Sequence, residues 1–232
     1  MLMIKVPNIA RIASAALLYC LLSGCANTLL VEGDFPDPLI EPIPINVGVH
    51  FSDDFESFQY TEESNDRDKW IIVLGDTQQH LFEIIFRGMF SSLHSIDSSP
   101  PWESTRERDF LKDIDIVLIP QVNEFQYTLP SETKINVYEV WIQYNIKAYT
   151  ATGDLLADWI LTAYGKTPDG FMQSSEGALN QAIVVALRDA GANLALNFKQ
   201  VPELRAWLAE REPAIVKKST FDSEPSDPNA TN

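Results

Sequence analysis

Residues 138–165 read YEVWIQYNIKAYTATGDLLADWILTAYG, and this stretch decides the fold. Its first ten residues alternate between apolar and mostly polar side chains, which is the period of a β-strand with one buried face. Thr152, Gly153 and Asp154 then predict a turn. The partner strand follows at 155–165, and its apolar side should carry Leu155, Ala157, Trp159, Leu161 and Ala163.

A third strand is predicted just before this hairpin. Residues 114–125, IDIVLIPQVNEF, alternate in part. Pro120 has no backbone N–H, so this strand should lie at an edge or contain a bulge near that residue. The three strands together indicate an antiparallel meander. Two shorter strands are predicted earlier in the chain, at 46–51 and at 70–74.

Two longer segments have helical periodicity. Residues 77–93, with Asp76 or Thr77 as the capping residue, place apolar side chains three and four apart. A second helix should begin at a Ser175 cap, with apolar residues at Leu179, Ala182, Ile183, Ala186, Leu187, Ala190 and Leu194. A short final helix is predicted from Pro202 to about Arg211. The expected fold is a single α+β domain, with two main helices on one face of a mostly antiparallel, mixed sheet.

The N-terminal residues have the organisation of a secretory signal peptide. Lys5 and Arg11 make the first 11 residues positive, and residues 12–22, IASAALLYCLL, form an uninterrupted run of apolar and small residues. That run is too short to span a bilayer as a helix, which takes about 20 residues. A positive start, a short apolar run and small residues at its end predict a removable signal over 1–24.

The end of the signal, Leu22-Ser23-Gly24-Cys25, resembles the bacterial lipobox. The resemblance implies cleavage between Gly24 and Cys25, and acylation of Cys25. It also implies that palmitate and diacylglycerol hold the mature protein on a membrane. Ala26 follows where an aspartate would favour the inner membrane, so the expected location is the outer membrane, facing the periplasm. An uncleaved anchor, or a plain secretory signal with a chance cysteine, is the alternative.

The charge of the chain limits its partners. The whole sequence has 17 Lys and Arg against 33 Asp and Glu, a net charge of −16. Residues 1–24 hold two of the basic residues and no acidic one, so the remainder carries −18. This charge disfavours both nucleic acid and anionic lipid head groups. Membrane attachment therefore has to come from the acyl chains on Cys25, and no nucleic acid is expected as a partner.

The chain divides into four predicted regions. Residues 1–24 are the signal, and 25–45 contain the lipidated cysteine and four prolines. We expect this second region to be a semi-rigid tether, or alternatively an extended segment packed on the domain. The domain itself should span 46–212, with an acidic loop at 53–69 that includes a short hairpin arm. Residues 213–232 are polar and predict a disordered tail.

The order of these elements resembles one group of small periplasmic lipoproteins. These have TolB-N-terminal-like or YajG-like domains, and they include accessory lipoproteins of export and polysaccharide secretion. The resemblance covers about residues 46–198 and rests on element order and on the strand–turn–strand pattern of 138–165. It transfers no functional residue to this chain.

No pattern in the sequence predicts catalysis, and no cofactor or metal is expected. His50, His80 and His94 have no metal-ligand spacing. Asp113 and Asp115 should lie on one face at a strand start, where carboxylates usually meet water. A second acidic group is read as a solvated loop rather than a calcium site, since its spacing differs from that of an EF-hand; it comprises Asp53, Asp54, Glu56, Glu62 and Glu63.

Aromatic side chains supply the one candidate contact surface. Trp141 and Tyr149 lie on the otherwise polar face of the best-defined strand, so they should form an outward patch unless a loop covers them. The sequence favours a non-catalytic accessory or scaffold protein of an envelope assembly or export complex, with a protein partner or a second copy. A lipid- or glycan-binding lipoprotein is the alternative, and an envelope enzyme is a third hypothesis.

Overall fold

The computed structural model describes residues 27–62, 70–102, 109, 111–132, 134–170 and 174–211. The predicted signal, Cys25 and the tail at 213–232 lie outside the described residues. Short 3-10 turns at Leu111–Asp113, Pro130–Glu132 and Phe198–Gln200 connect some elements. The elements run in the order β1 (Asn27–Leu30), β2 (Ile43–Val49), α1 (Asp53–Glu56), β3 (Gln59–Thr61), β4 (Trp70–Val73), α2 (Gly75–Met89), β5 (Phe90–Ser95), β6 (Ile116–Thr128), β7 (Val137–Thr150), β8 (Leu155–Pro168), α3 (Ser175–Asn197) and α4 (202–211).

The larger sheet has five strands in the order β5-β2-β6-β7-β8. Strands β5, β2 and β6 are parallel, while β6, β7 and β8 form the predicted antiparallel meander. The alternation read from the sequence is confirmed in β7, because its even-numbered residues from Tyr138 to Ala148 are buried. Leu155 is exposed instead of buried, since the register shifts between Ala148 and Tyr149.

Strand β6 is continuous through Pro120, because the strand has no partner on its β2 side at that residue. β2 pairs with β6 only from Ile116 to Leu118, so Pro120 lies beyond the reach of β2. On its other side Pro120 pairs with Ile146, and the register shifts between Val122 and Glu124. The predicted bulge is therefore present, and Pro120 lies where β6, the central strand of this sheet, has no partner on its β2 side.

A second sheet of three strands, in the order β1-β4-β3, was not predicted. β1 pairs parallel with β4, so that Asn27 lies opposite Trp70, and β3 pairs antiparallel with β4. The prediction of a loop over 53–69 was therefore wrong for 53–56, which is helical, whereas the pairing of β3 with β4 agrees with the predicted hairpin arm. Ser52 accepts a hydrogen bond from the Phe55 N–H and caps α1, which leads into β3.

The two long helices pack on one face of the larger sheet, which confirms the α+β class. α2 ends at Met89 rather than 93, because Phe90–Ser95 pairs with β2 as strand β5. Neither predicted cap is used: the residue before α2 is Leu74, and the Thr77 hydroxyl donates to the Val31 carbonyl at 2.5 Å.

The N-cap of helix α3 is Ser174, one residue before the predicted Ser175, which is instead the first residue of the helix. The Ser174 hydroxyl accepts from the Gly177 N–H at 3.0 Å. α3 also satisfies the outer edge of β8: the Asn193 amide donates to the Thr162 carbonyl, and the Asp189 carboxylate accepts from the Tyr164 N–H at 2.9 Å. Side chains of α3 thus form hydrogen bonds with backbone groups that an edge strand otherwise leaves unpaired.

The segment before β2 is packed on the domain over the described residues, which is the second of the two interpretations of 25–45. Leu29 and Val31 are each 2% exposed, and Ile45 is equally buried. The Asn180 side chain bonds both the N–H and the carbonyl of Glu32, at 3.0 and 2.9 Å. The folded domain therefore begins at least as early as Asn27, not at residue 46.

A buried polar pair lies between α2, α1 and β7. Gln78 and Tyr144 are completely buried. The Gln78 amide donates to the Phe55 carbonyl at 2.7 Å and accepts from the Tyr144 hydroxyl at 3.2 Å. Burial also raises the pKa of the Tyr144 phenol above its usual range, because the charged form would lose its hydration. This pair joins three elements at the centre of the core.

Candidate functional site

The outer face of the five-stranded sheet, opposite the helices, is half covered. Four residues between β5 and β6 pack on Val117 and Ile119 of β6 and cover one half of this face, which forms a second apolar cluster; the four are Ile96, Trp102, Leu111 and Ile114. Tyr149 packs against this cluster and is half-buried. The alternative that a loop covers the predicted patch therefore holds for Tyr149, which is not an outward contact residue.

Trp141 lies on the other half of this face, which is open. Its side chain is 36% exposed, and its ring centroid is 5.0 Å from that of Tyr164 on β8. The Tyr164 hydroxyl donates to the Glu139 carboxylate at 2.6 Å, which raises the pKa of Tyr164 to about 12. Eight residues of strand separate Trp141 from Tyr149, or about 27 Å. The structure therefore does not bring the two predicted residues together.

Polar side chains surround Trp141 in a shallow pocket of about 260 Å³. Three of them have side-chain partners: Gln126 donates to Glu124, and Gln143 accepts from Asn123, which lies outside the pocket. Ile160, on the neighbouring strand, is exposed. An exposed tryptophan among paired amides and carboxylates suits binding by stacking and hydrogen bonds. We call this open half of the outer face, with Trp141, Tyr164 and Ile160, the tryptophan face.

An apolar groove lies on the opposite side of the molecule, between the segment after β1 and the two long helices. It has a volume of about 430 Å³. Arg188 and Asp37 are the charged residues that line it. The other walls are mostly aliphatic and include Leu39, Ile40, Leu81, Ile85, Ala195 and Leu196. Sequence reasoning missed this groove, because its walls come from three separate parts of the chain.

The histidines are dispersed and have local partners. His50 Nδ1 is 2.9 Å from the Ile96 carbonyl, and His94 Nε2 is 3.1 Å from the Ser92 hydroxyl. The His80 ring lies beside Phe35. Within the described ranges, no three His, Cys, Asp or Glu side chains are grouped to hold a metal ion.

The acidic residues considered for chemistry also lie apart. Asp113 ends a 3-10 turn and Asp115 immediately precedes β6, so the two residues lie at the strand start as predicted, but Asp113 is outside the strand alternation that would place both on one face. The Asp115 carboxylate accepts from the Asn46 N–H at 2.8 Å and pairs with Arg211. The acidic group at 53–56 forms the exposed surface of α1, whereas Glu62 accepts from the Tyr127 hydroxyl at 2.7 Å. Glu63 lies outside the described residues.

No helix in the described part of the chain is long and apolar enough to cross a membrane. No protein-family model and no curated protein matches the chain. The predicted resemblance to TolB-N-terminal-like and YajG-like domains stays a prediction.

Several solved structures have a similar arrangement. A Xanthomonas campestris protein of the family DUF330 is 11% identical, with a TM-score of 0.49 over 75% of this chain and 98% of that one. A Caulobacter crescentus protein, provisionally described as a lipoprotein, is 17% identical, with a TM-score of 0.34 over 47% and 82%. A homologue of a neuraminyllactose-binding haemagglutinin from Helicobacter pylori is 9% identical, with a TM-score of 0.39 over 76% and 97%. At these values the resemblance assigns no function.

Proposed function

We propose that this chain is a bacterial lipoprotein held on the periplasmic side of the outer membrane by acyl groups on Cys25. Its domain serves as a non-catalytic accessory protein of an envelope assembly. The sequence Leu22-Ser23-Gly24-Cys25 and the apolar run before it support the anchor. The tryptophan face is the observation that supports a binding role.

The position of β1 gives the anchor a structural consequence. A chain spans at most about 3.6 Å per residue, so the Cα atoms of Cys25 and Asn27 lie within about 7 Å of each other. Asn27 belongs to β1, which is paired along its length with β4. Acyl chains on Cys25 would therefore hold the folded domain close against the bilayer. A net charge of −18 gives this surface little other attraction to anionic lipid.

Replacement of the anchoring cysteine tests the first half of the proposal. We expect Cys25→Ala to abolish incorporation of an alkyne-tagged palmitate in a Gram-negative host and to release the protein from the membrane fraction. Only the thiol of the lipobox cysteine can receive the diacylglyceryl group, so Cys20→Ala should remain labelled. Palmitate labelling that persists in Cys25→Ala contradicts the assignment.

The non-catalytic role is supported by the way potential reactive groups are occupied. The Asp115 carboxylate, one of the acidic candidates from the sequence, bonds a backbone N–H and Arg211. Trp141, by contrast, is a large apolar side chain in an open position. Tryptophan is enriched among the interface residues that contribute most to binding. We therefore place the partner-binding surface on the tryptophan face.

Site-specific photocross-linking tests this surface in the membrane-bound protein. A benzoylphenylalanine at position 141 should give a discrete cross-linked product, because a bound partner covers that side chain. The same residue at position 210, an exposed site on α4, is the control and should give none. Trp141→Ala should weaken the complex by about 30-fold, the effect of a 2 kcal/mol hot-spot residue. Equal products from both positions, or none from position 141, would contradict the proposal.

Mass spectrometry of the cross-linked product distinguishes a second copy of this chain from another envelope protein. Either result places a macromolecular partner on the tryptophan face. If Trp141→Ala leaves partner binding unchanged, the tryptophan face is not part of the interface.

A further inference from the structure

We propose that the groove between the segment after β1 and helices α2 and α3 binds the acyl chain of a single-chain anionic lipid, with its head group beside Arg188. This site lies across the molecule from the tryptophan face. It does not depend on the acylation of Cys25 or on a protein partner.

The walls of the groove suit a flexible hydrocarbon. Leu39 is fully exposed and Leu196 is 70% exposed. Both leucines lie among other apolar residues of the groove, so the exposed apolar surface is continuous. Contiguous exposed apolar surface of this kind marks a binding site more often than a scattered leucine does. An acyl chain can follow aliphatic walls, because it needs no stacking partner and no hydrogen bond.

The floor of the groove is closed by a close contact between the two helices. A Cβ on Gly191 of α3 would lie 3.0 Å from the Ile85 side chain of α2, so the helices meet tightly there. Beside this contact, Ala192 and Ala195 leave space because their side chains are short. The volume of about 430 Å³ is near the lower end of ligand sites, which span roughly 300–1,000 Å³, and suits one chain rather than two.

Arg188 gives the groove a charged end. Its guanidinium donates to the Asp34 carbonyl at 2.9 Å, and no carboxylate of the described residues lies within ion-pair distance of it. An arginine has five N–H donors, so most remain available to a ligand. The net negative charge of the chain opposes anionic ligands at long range. The attraction at this site is therefore local, through a charge-assisted contact between the Arg188 guanidinium and one anionic head group. Asp37, elsewhere in the wall, would repel that group and so favour one orientation.

A chain-length series tests the hydrocarbon part of the site. The ligands are saturated carboxylates of 8 to 16 carbons, titrated below their micelle concentrations by calorimetry. The protein is the mature chain, residues 25–232, with Cys25→Ser so that no acyl chain of its own competes. The Kd should fall about fourfold for each added methylene until the groove is full, and then stay constant. Absence of saturable binding, or a Kd independent of chain length, overturns the proposal.

Matched tryptophan variants locate the binding. Ala192→Trp fills the groove and should weaken binding of dodecanoate at least tenfold. Ala206→Trp adds the same side chain at an exposed position of α4 and should have no effect. Equal affinities for the two variants would show that dodecanoate binds elsewhere.

The head-group contact has its own control. Arg188→Gln should weaken dodecanoate about tenfold or more while leaving dodecanol unchanged, because only the carboxylate makes a charge-assisted bond. Arg205→Gln, on the exposed side of α4, should change neither. A loss of the same size for dodecanol and dodecanoate overturns the assignment of Arg188. A photocross-linker at position 196 that captures a protein, with no lipid bound, assigns the groove to that protein instead and also overturns the proposal.

Discussion

Gly165→Ala should lower the free energy of unfolding by about 3 kcal/mol or more, because the added methyl group would meet the backbone of a helix. A Cβ on Gly165 would lie 2.1 Å from the Ala182 carbonyl oxygen and 2.4 Å from the Ala186 nitrogen. Both are backbone atoms of α3, which cannot rotate away as a side chain can. The helix would have to move off β8 and lose its contact with the buried face of the sheet.

Urea denaturation followed by circular dichroism measures this loss. Thermal unfolding of the same variant should give a melting temperature lower by about 6–12 °C for a domain of this size. Lys166→Ala, at the exposed neighbouring position, should stay within about 0.5 kcal/mol of the wild type. If Gly165→Ala is as stable as Lys166→Ala, then α3 does not approach β8 as closely as described.

Gln78→Met should lower the free energy of unfolding by about 2–4 kcal/mol, because it keeps the size of the side chain but removes both of its hydrogen bonds. The Tyr144 hydroxyl would lose the amide oxygen that accepts its proton, and the Phe55 carbonyl would lose its donor at 2.7 Å. Both groups are away from water, so neither gains a replacement. Thermal unfolding of the variant gives the magnitude.

Two comparisons show whether the loss comes from these hydrogen bonds. Gln79→Met makes the same change one residue later, where the amide bonds only the partly exposed Glu83, and should cost less than about 1 kcal/mol. Combining Gln78→Met with Tyr144→Phe removes the orphaned hydroxyl and should recover about 1 kcal/mol relative to the sum of the single changes. Strict additivity would contradict a direct bond between the two side chains.

The meander was predictable because its evidence is local. The alternation in 138–147 places Tyr144 and its neighbours on the buried face with no help from the rest of the chain. β5 was missed because Leu93 lies four residues after Met89 and so continues the helical spacing. Only the parallel pairing with β2, from a distant segment, makes Phe90–Ser95 a strand. The pairing of β1 with β4 spans a similarly long separation, and the prolines after it favoured a tether instead.

The candidate sites divide in the same way. The outward position of Trp141 follows from strand alternation alone, and the structure confirms it. Tyr149 has the same alternation but packs against a cluster that contains Ile96 and Trp102, whose position over the sheet has no periodic signal in the sequence. The groove needs Leu39 and Leu196 to be adjacent, although 156 residues separate them. In the sequence each is a single leucine, and isolated exposed leucines are common on protein surfaces, so neither indicates a binding site.

The hydrogen bonds between the N-terminal segment and α3 set an order of events for a chain made from its N-terminus. Glu32 is bonded by Asn180, and the Asp34 carbonyl is bonded by Arg188, across 148 and 154 residues. Until α3 has been synthesised, residues 27–34 exist without these partners. The proposed processing at Cys25 therefore has an interval in which the N-terminal segment is not yet bonded to α3. Completion of the last long helix ends that interval by fixing the N-terminal segment to the domain.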